Sequence, residues 1–300
     1  FYLCVVLGAY SMVVVYGHPR VPCTLLPGYH KYAGFAYVAF CIYTWYLACT
    51  VTPGIITAET VDRFDNYEYD NVLYREGRKC KTTGLPKLAR SKFCRHMNCN
   101  VARFDHFCPW LNQAVGQENY RCFLFFLLAH VGLLAYGSVA MGLILGSEVV
   151  DRQLLSARYY SAEKGEVVQA TKLVVMQYLI FNNWALFGVF ILCTVMAIVL
   201  AGFLGYHLWL AARNQTTNES YKWSDLKKYY KRLDAYRKEV AAREAEAEQL
   251  ELQAKLANVD TMDDDAAIAM AAKSMGLETE GDETGIAAEK GKGKGTGKGK

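Results

Sequence analysis

The sequence predicts an all-α multi-pass membrane protein, with four transmembrane helices and a small irregular cytosolic cysteine-rich domain between the second and third helices. Of the 300 residues 53% are hydrophobic, and the apolar residues are concentrated in four blocks. Each block is close to, or longer than, the roughly 20 residues that cross a hydrocarbon core of about 30 Å. A polar stretch with several cysteines and many basic residues separates the second block from the third.

The first two blocks, 1–16 and 31–51, belong to a segment 1–51 that holds transmembrane helices 1 and 2. The first block is slightly short for a span, so we expect it to be a truncated helix whose beginning lies outside the given sequence. A cleaved signal peptide would show a basic leader and a small-residue cleavage site, and neither is visible.

The polar segment 52–120 carries ten Lys and Arg residues, whereas the loop 17–30 carries one and the loop 147–172 carries four. Basic loops stay on the cytoplasmic side of a membrane. We therefore expect 52–120 and the C-terminal part of the chain to face the cytosol. Because that compartment is reducing, cysteines in the loop should be free thiols or metal ligands rather than disulfides.

The second membrane segment, 121–212, contains the other two blocks, which are residues 121–146 and 184–212. Residues 173–181 are apolar too, and they either extend the fourth span or lie at its outer interface. No ionisable residue lies near the middle of any span, which argues against a transporter or channel.

Residues 213–257 form a cytosolic segment in which Tyr221 to about Leu256 predict an amphipathic helix, because aromatic residues and leucines recur at spacings of three and four among lysines. This helix either lies against the membrane face or packs its apolar side on the protein itself. Residues 258–300 become polar and end in a glycine–lysine repeat, which predicts a disordered tail.

The stretch Arg103-Phe104-Asp105-His106-Phe107-Cys108-Pro109-Trp110 places an acid, an imidazole and a thiol within four residues. A cysteine is nucleophilic as its thiolate. His106 can accept the proton of Cys108, and Asp105 can orient the histidine and stabilise its charged form. This spacing alone is not specific.

The surrounding residues are specific in combination. Thr52-Pro53-Gly54 follows the second span, and Thr216-Thr217-Asn218-Glu219, a capping-box pattern, follows the fourth. From Cys80 to Phe123 the chain resembles the cysteine-rich domain of the DHHC protein S-acyltransferases, the palmitoyltransferases. The resemblance rests on Arg90, Cys94, Asp105, His106, Cys108, Pro109, Trp110, Asn112, Gly116, Asn119 and Tyr120.

This resemblance implies a ping-pong acyl transfer from palmitoyl-CoA, through a thioester on Cys108, to cysteines of membrane-associated proteins. His106 is then the base and Asp105 its partner, and the supporting residues are Thr216, Thr217, Glu219, Asn112, Trp110 and Arg90. Trp110 either lines the acyl entrance or anchors at the interface. The implied location is a Golgi or endoplasmic reticulum membrane. The net charge of +4 is too small to indicate nucleic acid as a partner.

The chain departs from the family at its two zinc sites, each of which uses three cysteines and a histidine. The corresponding positions here are Cys80, Thr83, Phe93, Cys94, Met97, Asn100, Phe107 and Ala114. Only the two cysteines are zinc ligands, so both usual sites are absent and bound zinc is doubtful. Two readings stay open: a non-standard set of Cys80, Cys94, His96 and Cys99, or apolar contacts that hold the loop without metal.

The loss of these ligands also leaves a second function open. A catalytically inactive member of the family would serve as a membrane scaffold or an acyl-CoA-binding protein. The retained Asp105, His106 and Cys108 favour the enzyme.

Overall fold

The computed structural model describes residues 1–161, 165–260 and 264–274. Its helices are α1 (Tyr2–Met12), α2 (His30–Thr50), α3 (Val61–Phe64), α4 (Tyr120–Asp151), α5 (Lys172–Asn182), α6 (Trp184–Ala212), α7 (Thr217–Asp260) and α8 (Asp264–Ser274). Its strands are β1 (Ile55–Ile56), β2 (Lys92–Cys94), β3 (Cys99–Val101), β4 (His106–Cys108), β5 (Gln113–Val115), β6 (Arg158–Ser161) and β7 (Glu166–Gln169).

Four helical segments are long and apolar enough to cross a membrane: Tyr2–Arg20, His30–Thr50, Tyr120–Asp151 and Trp184–Ala212. The first consists of α1 continued by a π-helical turn and a short 3₁₀ turn. The fold class predicted from the sequence is confirmed, since the chain is mostly helical and has four such spans. It is an integral membrane protein.

The third span, α4, is the centre of the bundle and packs against both α2 and α6. Two groups of buried side chains join the spans. One group contains Phe123, Phe126 and Leu127 of α4 together with Cys108, so it connects the bundle to the loop. The other contains Met141, Ile144 and Leu186 and lies toward the far end of α4.

The loop between α2 and α4 is largely irregular and is ordered by short antiparallel strands. One sheet has the order β1-β3-β2, and β4 pairs with β5 in a second sheet. Gly116 follows β5 at a point of very close packing, because an added Cβ would lie 2.4 Å from the Pro53 carbonyl oxygen and 2.6 Å from Val101. The start of the loop, at Thr52-Pro53-Gly54, therefore packs directly against the end of the loop.

The apolar residues 173–181 lie in the separate helix α5, which ends at Asn182 before α6 begins at Trp184. They are not a continuous extension of the fourth span. Asn183 between the two helices has φ −127° and ψ 34°, which is outside the helical region and explains the break.

The chain divides after Lys227 into two compact units. In the first unit, α7 begins at Thr217, four residues before the helix start predicted from the aromatic periodicity. In the second unit, α7 continues to Asp260 with ion pairs one turn apart, such as Arg243–Glu239 at 2.7 Å.

The prediction of a disordered tail over 258–300 is wrong for two segments, the first being residues 258–260, which are the end of α7. Residues Asp264–Ser274 form helix α8, whose sequence is alanine-rich, starts with two aspartates and has a lysine in its last turn. Alanine has the highest helix propensity, and these charges match the helix dipole. Residues 261–263 and 275–300 of the same prediction lie outside the described residues.

Candidate active site

The hairpin of β4 and β5 carries the candidate nucleophile. Its register pairs His106 with Val115, and Cys108 with Gln113. Side chains alternate between the two faces of a strand, so His106 and Cys108 share one face and Phe107 points to the other. The burial agrees: Cys108 packs with residues of the membrane bundle, whereas Phe107 packs within the loop.

A tight turn joins the two strands, with the Leu111 amide donating to the Cys108 carbonyl at 3.2 Å. Asn112 has φ 51°, in the left-handed region that asparagine tolerates better than most residues. Its side chain is exposed, so Asn112 supports the site through backbone conformation. The Gln113 side chain ties this turn to α2 by donating to the carbonyls of Ala48 and Val51 at 2.7 and 3.0 Å.

Asp105 is the buried acid of the site, with 2% of its surface exposed. One oxygen accepts from the Thr217 amide at 2.7 Å. The other accepts from the Thr217 hydroxyl at 2.9 Å and pairs with His106 Nδ1 at 2.7 Å. Burial alone would raise the pKa of Asp105, but hydrogen bonds from His106 and Thr217, and the charge of His106, hold it below the ordinary value.

The start of α7 supplies the Thr217 donors. Thr216 and Glu219 form a capping box, because the Glu219 amide donates to the Thr216 hydroxyl at 3.2 Å and the Thr216 amide donates to Glu219 Oε2 at 2.9 Å. The amides at a helix start are unpaired and carry partial positive charge. The carboxylate of Asp105 therefore lies where a helix favours an anion.

Arg90 fixes this helix start to the loop. Its guanidinium binds both oxygens of Glu219, at 2.6 and 2.7 Å, and also donates to the Asn214 carbonyl at 2.7 Å. The side chains of Arg90 and Glu219 are 12% and 7% exposed. Tyr74 donates to the same carboxylate at 3.3 Å. This buried bidentate pair sets where Thr217 meets Asp105.

His106 lies between the acid and the thiol. Burial lowers its pKa, but hydrogen bonds to Asp105 and Cys108, and the charges of both groups, outweigh burial and raise the pKa to about 9. Because Nδ1 is paired with Asp105, Nε2 is the nitrogen available to the thiol. The arrangement is an acid, an imidazole and a thiol in series, suited to nucleophilic acyl transfer.

Cys108 and His106 line a cavity of about 920 Å³ between the membrane spans. Most of its wall is apolar and comes from the four spans. Trp110, which is 46% exposed, also lines it, and its carbonyl accepts from Trp45 Nε1 at 3.0 Å. The thiol therefore faces a space shaped for an apolar chain.

The structure does not assemble the non-standard zinc set. Among the described residues, the one group of three or more donors close enough to hold an ion is Asp105, His106 and His207. Cys94 and Cys99 oppose each other across β2 and β3, and the ring of His96 stacks on Phe107 with centroids 4.3 Å apart.

The two family zinc positions contain other contacts. At the first, Asn100 donates to the Thr83 hydroxyl at 2.7 Å, beside Cys80. At the second, Cys94, Met97, Phe107 and Ala114 pack in one apolar cluster. Four thiolate or imidazole ligands are needed for a closed structural zinc site, and neither set supplies them. The residues present do not fit zinc.

Sequence reasoning assigned no role to two residues that shape the site, although Asn119 is among the residues that carry the family resemblance. Asn119, fully buried, accepts from the Gly116 amide at 2.8 Å and donates to the Ala114 carbonyl at 2.9 Å. His207 of α6 lies beside Asp105, with 4.0 Å between its Nδ1 and Oδ2 of the acid. The available signal for His207 was its position as an ionisable residue near the loop end of an apolar span.

Comparison with known proteins shows which family contains a similar sequence. Residues 73–224 match the model of the DHHC palmitoyltransferase family, a range that includes the loop hairpins, two spans and the start of α7. The chain is 34% identical to palmitoyltransferase ZDHHC4 of Rattus norvegicus over 210 residues, 67% of this chain and 57% of the relative. It is 35% identical to palmitoyltransferase SWF1 of Yarrowia lipolytica over 203 residues, 65% of this chain and 50% of the relative.

The chain spans about half the length of the curated relatives it matches. The family match itself covers about half of the chain and contains Asp105, His106, Cys108 and Thr217. These are the residues that the structure brings together in one site. The chain belongs to the DHHC palmitoyltransferase family.

Proposed function

We propose that this chain is a protein S-acyltransferase that takes the acyl group of palmitoyl-CoA onto Cys108 and passes it to a cysteine of a membrane-associated protein. The observation that carries the proposal is the thiol of Cys108 beside the His106–Asp105 pair at the wall of an apolar cavity. The palmitoyltransferase relatives support palmitoyl-CoA as the donor.

In the first step, the proton of Cys108 moves to His106 and the thiolate attacks the thioester carbonyl of palmitoyl-CoA. A new carbon–sulfur bond forms to Cys108, and the carbon–sulfur bond to CoA breaks. The departing CoA sulfur takes the proton from His106. Asp105 stabilises the imidazolium between these two transfers, because its carboxylate lies 2.7 Å from Nδ1.

In the second step, His106 takes the proton from a cysteine of the protein substrate, whose sulfur attacks the thioester on Cys108. The Cys108 sulfur leaves and recovers a proton from His106. Both steps exchange one thioester for another, so one base near one sulfur serves both.

The cavity supports the choice of a long acyl chain over a small acyl group. Its wall consists mostly of apolar side chains from all four spans, and burying a palmitoyl chain there removes apolar surface from water, which is favourable. The charged CoA portion remains on the loop side. The basic loop 52–120 supports a cytosolic orientation, and the family resemblance supports a Golgi or endoplasmic reticulum membrane.

A scaffold that binds acyl-CoA without turnover is the second candidate, and the lost zinc ligands favour it. The loop nevertheless holds its acid, imidazole and thiol in hydrogen-bonding order. We therefore place the enzyme first.

The test is formation of an acyl-enzyme. Purified protein is incubated with radiolabelled palmitoyl-CoA, and label is measured with and without hydroxylamine, which cleaves thioesters. We expect hydroxylamine-sensitive label on the wild type, none on Cys108→Ser, a large loss with His106→Ala, and no change with the control Cys122→Ser. Equal label on the wild type and Cys108→Ser would reject the proposal.

A further inference from the structure

A second buried imidazole lies beside the acid of the site. His207 of α6 and Asp105 each have a side chain that is 1% exposed, and 4.0 Å separates Nδ1 of the histidine from Oδ2 of the acid. The steps proposed above need one histidine, so they leave His207 without a role. It is nevertheless the third member of the Asp105, His106 and His207 group.

A bound ion does not explain this group. The Asp105 carboxylate already accepts three hydrogen bonds, two from Thr217 and one from His106. An ion joining both imidazoles to that carboxylate would have to displace His106 Nδ1, which the proposed chemistry uses. The role of His207 must therefore be compatible with the intact Asp105–His106 pair.

The ring of His207 is held firmly from two helices. The Tyr120 hydroxyl, at the first residue of α4, donates to the His207 carbonyl at 3.2 Å and lies 3.4 Å from its Nδ1. The rings of Phe203 and Phe123 pack edge-on against it, with centroids 4.6 and 5.0 Å away. Loop, third span and fourth span thus meet at this imidazole.

His207 also fills the space next to the catalytic pair. The two histidine rings are 5.7 Å apart, and Phe123 contacts both, with a centroid distance of 5.0 Å to each. Thr217 covers one side of the Asp105 carboxylate and His106 another. His207 covers the side facing the spans.

Water admitted at that side would compete with His106 for Oδ2 of Asp105. A buried charge-assisted hydrogen bond is strong because water is absent, and it weakens when the local dielectric constant rises. Removing the ring of His207 creates such a space within 4.0 Å of the carboxylate oxygen.

We infer that His207 is a positioning residue for acyl transfer. Its ring excludes water from Asp105 and so maintains the hydrogen bond between His106 Nδ1 and Asp105 Oδ2. This inference rests on the proposed function. The titratable groups facing His106 are Asp105 and Cys108 of its own loop and His207 of α6.

The experiment compares wild type, His207→Ala and His207→Phe in single-turnover acylation by palmitoyl-CoA. His207→Ala leaves the space open, and we expect the maximal rate constant to fall about tenfold or more, with the half-saturating palmitoyl-CoA concentration unchanged. His207→Phe refills the space with a ring and keeps the Tyr120 bond to the main chain, so it should recover most of the rate.

The pH profile separates positioning from a general loss of structure. In the wild type, the acylation rate should decline at alkaline pH with a midpoint near the His106 pKa of about 9. In His207→Ala, the midpoint of this decline should move toward the ordinary histidine pKa of 6.5. If His207→Ala does not fold, His207→Val leaves much of the same space without a new donor for Asp105 and should show a shift in the same direction.

If a folded variant with a small side chain at position 207 acylates at the wild-type rate, and its rate declines at the same alkaline pH as the wild type, the inference is overturned. The proposed function would remain intact. A failure of recovery by a folded His207→Phe would overturn the water-exclusion role. The absence of any acyl-enzyme on the wild type would instead reject the proposed function, so the two failures are distinguishable.

Discussion

At the scale of single residues, the site depends on how one carboxylate is held. Asp105 is oriented by the amide and hydroxyl of Thr217, and it holds His106 in turn. An isolated buried carboxylate would tend to take up a proton, and these donors keep it charged. The supporting threonines of the family motif therefore have different tasks: Thr216 caps the helix, and Thr217 binds the acid.

Replacing Thr217 by valine removes the hydroxyl donor and keeps the amide donor. We expect the acylation rate to fall about tenfold, because one of three hydrogen bonds to the carboxylate is lost at a cost of about 1–2 kcal/mol. The measurement is single-turnover acylation at saturating palmitoyl-CoA. The control is Thr82→Val at an exposed loop position, and an equal effect of both variants would contradict the assignment.

The raised pKa of His106 gives a pH prediction with a definite sign. Because its pKa is raised from 6.5 to about 9, the imidazolium that protonates the departing CoA sulfur persists to alkaline pH. Acylation should decline as the pH rises through about 9. The stability that protonated His106 adds to the fold should be fully present below a pH of about 6.5. It should be lost as the pH rises through about 9.

This profile is measured as the rate of acyl-enzyme formation and, separately, as the melting temperature across the pH range. A decline centred near 6.5 would show that Asp105 does not stabilise the imidazolium. His106→Ala serves as the control, since its residual rate should lack the decline.

At the scale of elements, the contact between loop and α7 decides the geometry. Arg90→Ala leaves Glu219 buried without its guanidinium, and loss of one partner of a buried pair costs about 3–5 kcal/mol. We expect a clear drop in melting temperature together with slower acylation. Arg243→Ala breaks an exposed pair and should cost under about 1 kcal/mol, so equal shifts would contradict the prediction.

The hairpins of the loop should not need zinc. A hydrogen-bonded pair, Asn100 and Thr83, and the apolar cluster around Phe107 lie at the family's metal positions. We expect less than stoichiometric zinc in the purified protein, and no change in melting temperature or acylation with a strong chelator. Stoichiometric zinc whose removal lowers the melting temperature would contradict this.

A matched variant makes the metal test sharper. Met97→Cys, Phe107→His and Ala114→Cys together restore three cysteines and a histidine around Cys94. This triple variant should gain about one zinc and become sensitive to the chelator.

The same elements show what could be predicted from the sequence. The four spans follow from runs of apolar residues, and the start of α7 is legible in Thr216 and Glu219 as a capping box. The strands of the loop were not predicted, because three-residue strands show almost no periodicity and their pairing depends on the tertiary fold. The fact that His106 and Cys108 lie on the same face of β4 can be seen only once that strand is known.

The candidate site also contains some residues that could be predicted from the sequence and others that could not. Asp105, His106 and Cys108 are neighbours in sequence, so local spacing and the family motif identify them. His207 meets Asp105 across a long separation in the chain, and a single sequence carries no record of such a contact. Asn119 bonds to Gly116 and Ala114, which are near it in the chain, but its complete burial depends on the tertiary fold. Helix α8 was not predicted, because the polar composition and the glycine–lysine repeat at the end of the chain indicated disorder for the whole tail.

At the scale of the whole molecule, the cavity connects the thiol to the membrane spans. Gly188 and His207 are on the same helix, roughly 28 Å apart along its axis, and Gly188 lines the cavity at the end away from Cys108. A Cβ atom added at Gly188 would have no other atom within 4 Å. Filling this end should therefore shorten the cavity without disturbing the backbone.

Gly188→Phe should slow acylation by palmitoyl-CoA more than acylation by a shorter acyl-CoA, by about tenfold in the ratio of kcat/KM values. Gly202→Phe is the control, since Gly202 is on the same helix with open space beside it and does not line the cavity. Equal chain-length profiles for both variants would show that the acyl chain lies elsewhere.

The most direct test of acyl transfer is a chase experiment. Protein carrying labelled palmitate on Cys108 is freed of palmitoyl-CoA, placed in lipid vesicles and mixed with a lipid-anchored peptide that contains one cysteine. We predict that label leaves Cys108 and appears on the peptide as a hydroxylamine-sensitive thioester, and that Cys108→Ser labels neither. If label stays on Cys108 while the peptide remains unlabelled, the protein binds and holds the acyl group without transferring it, and the acyltransferase assignment is wrong.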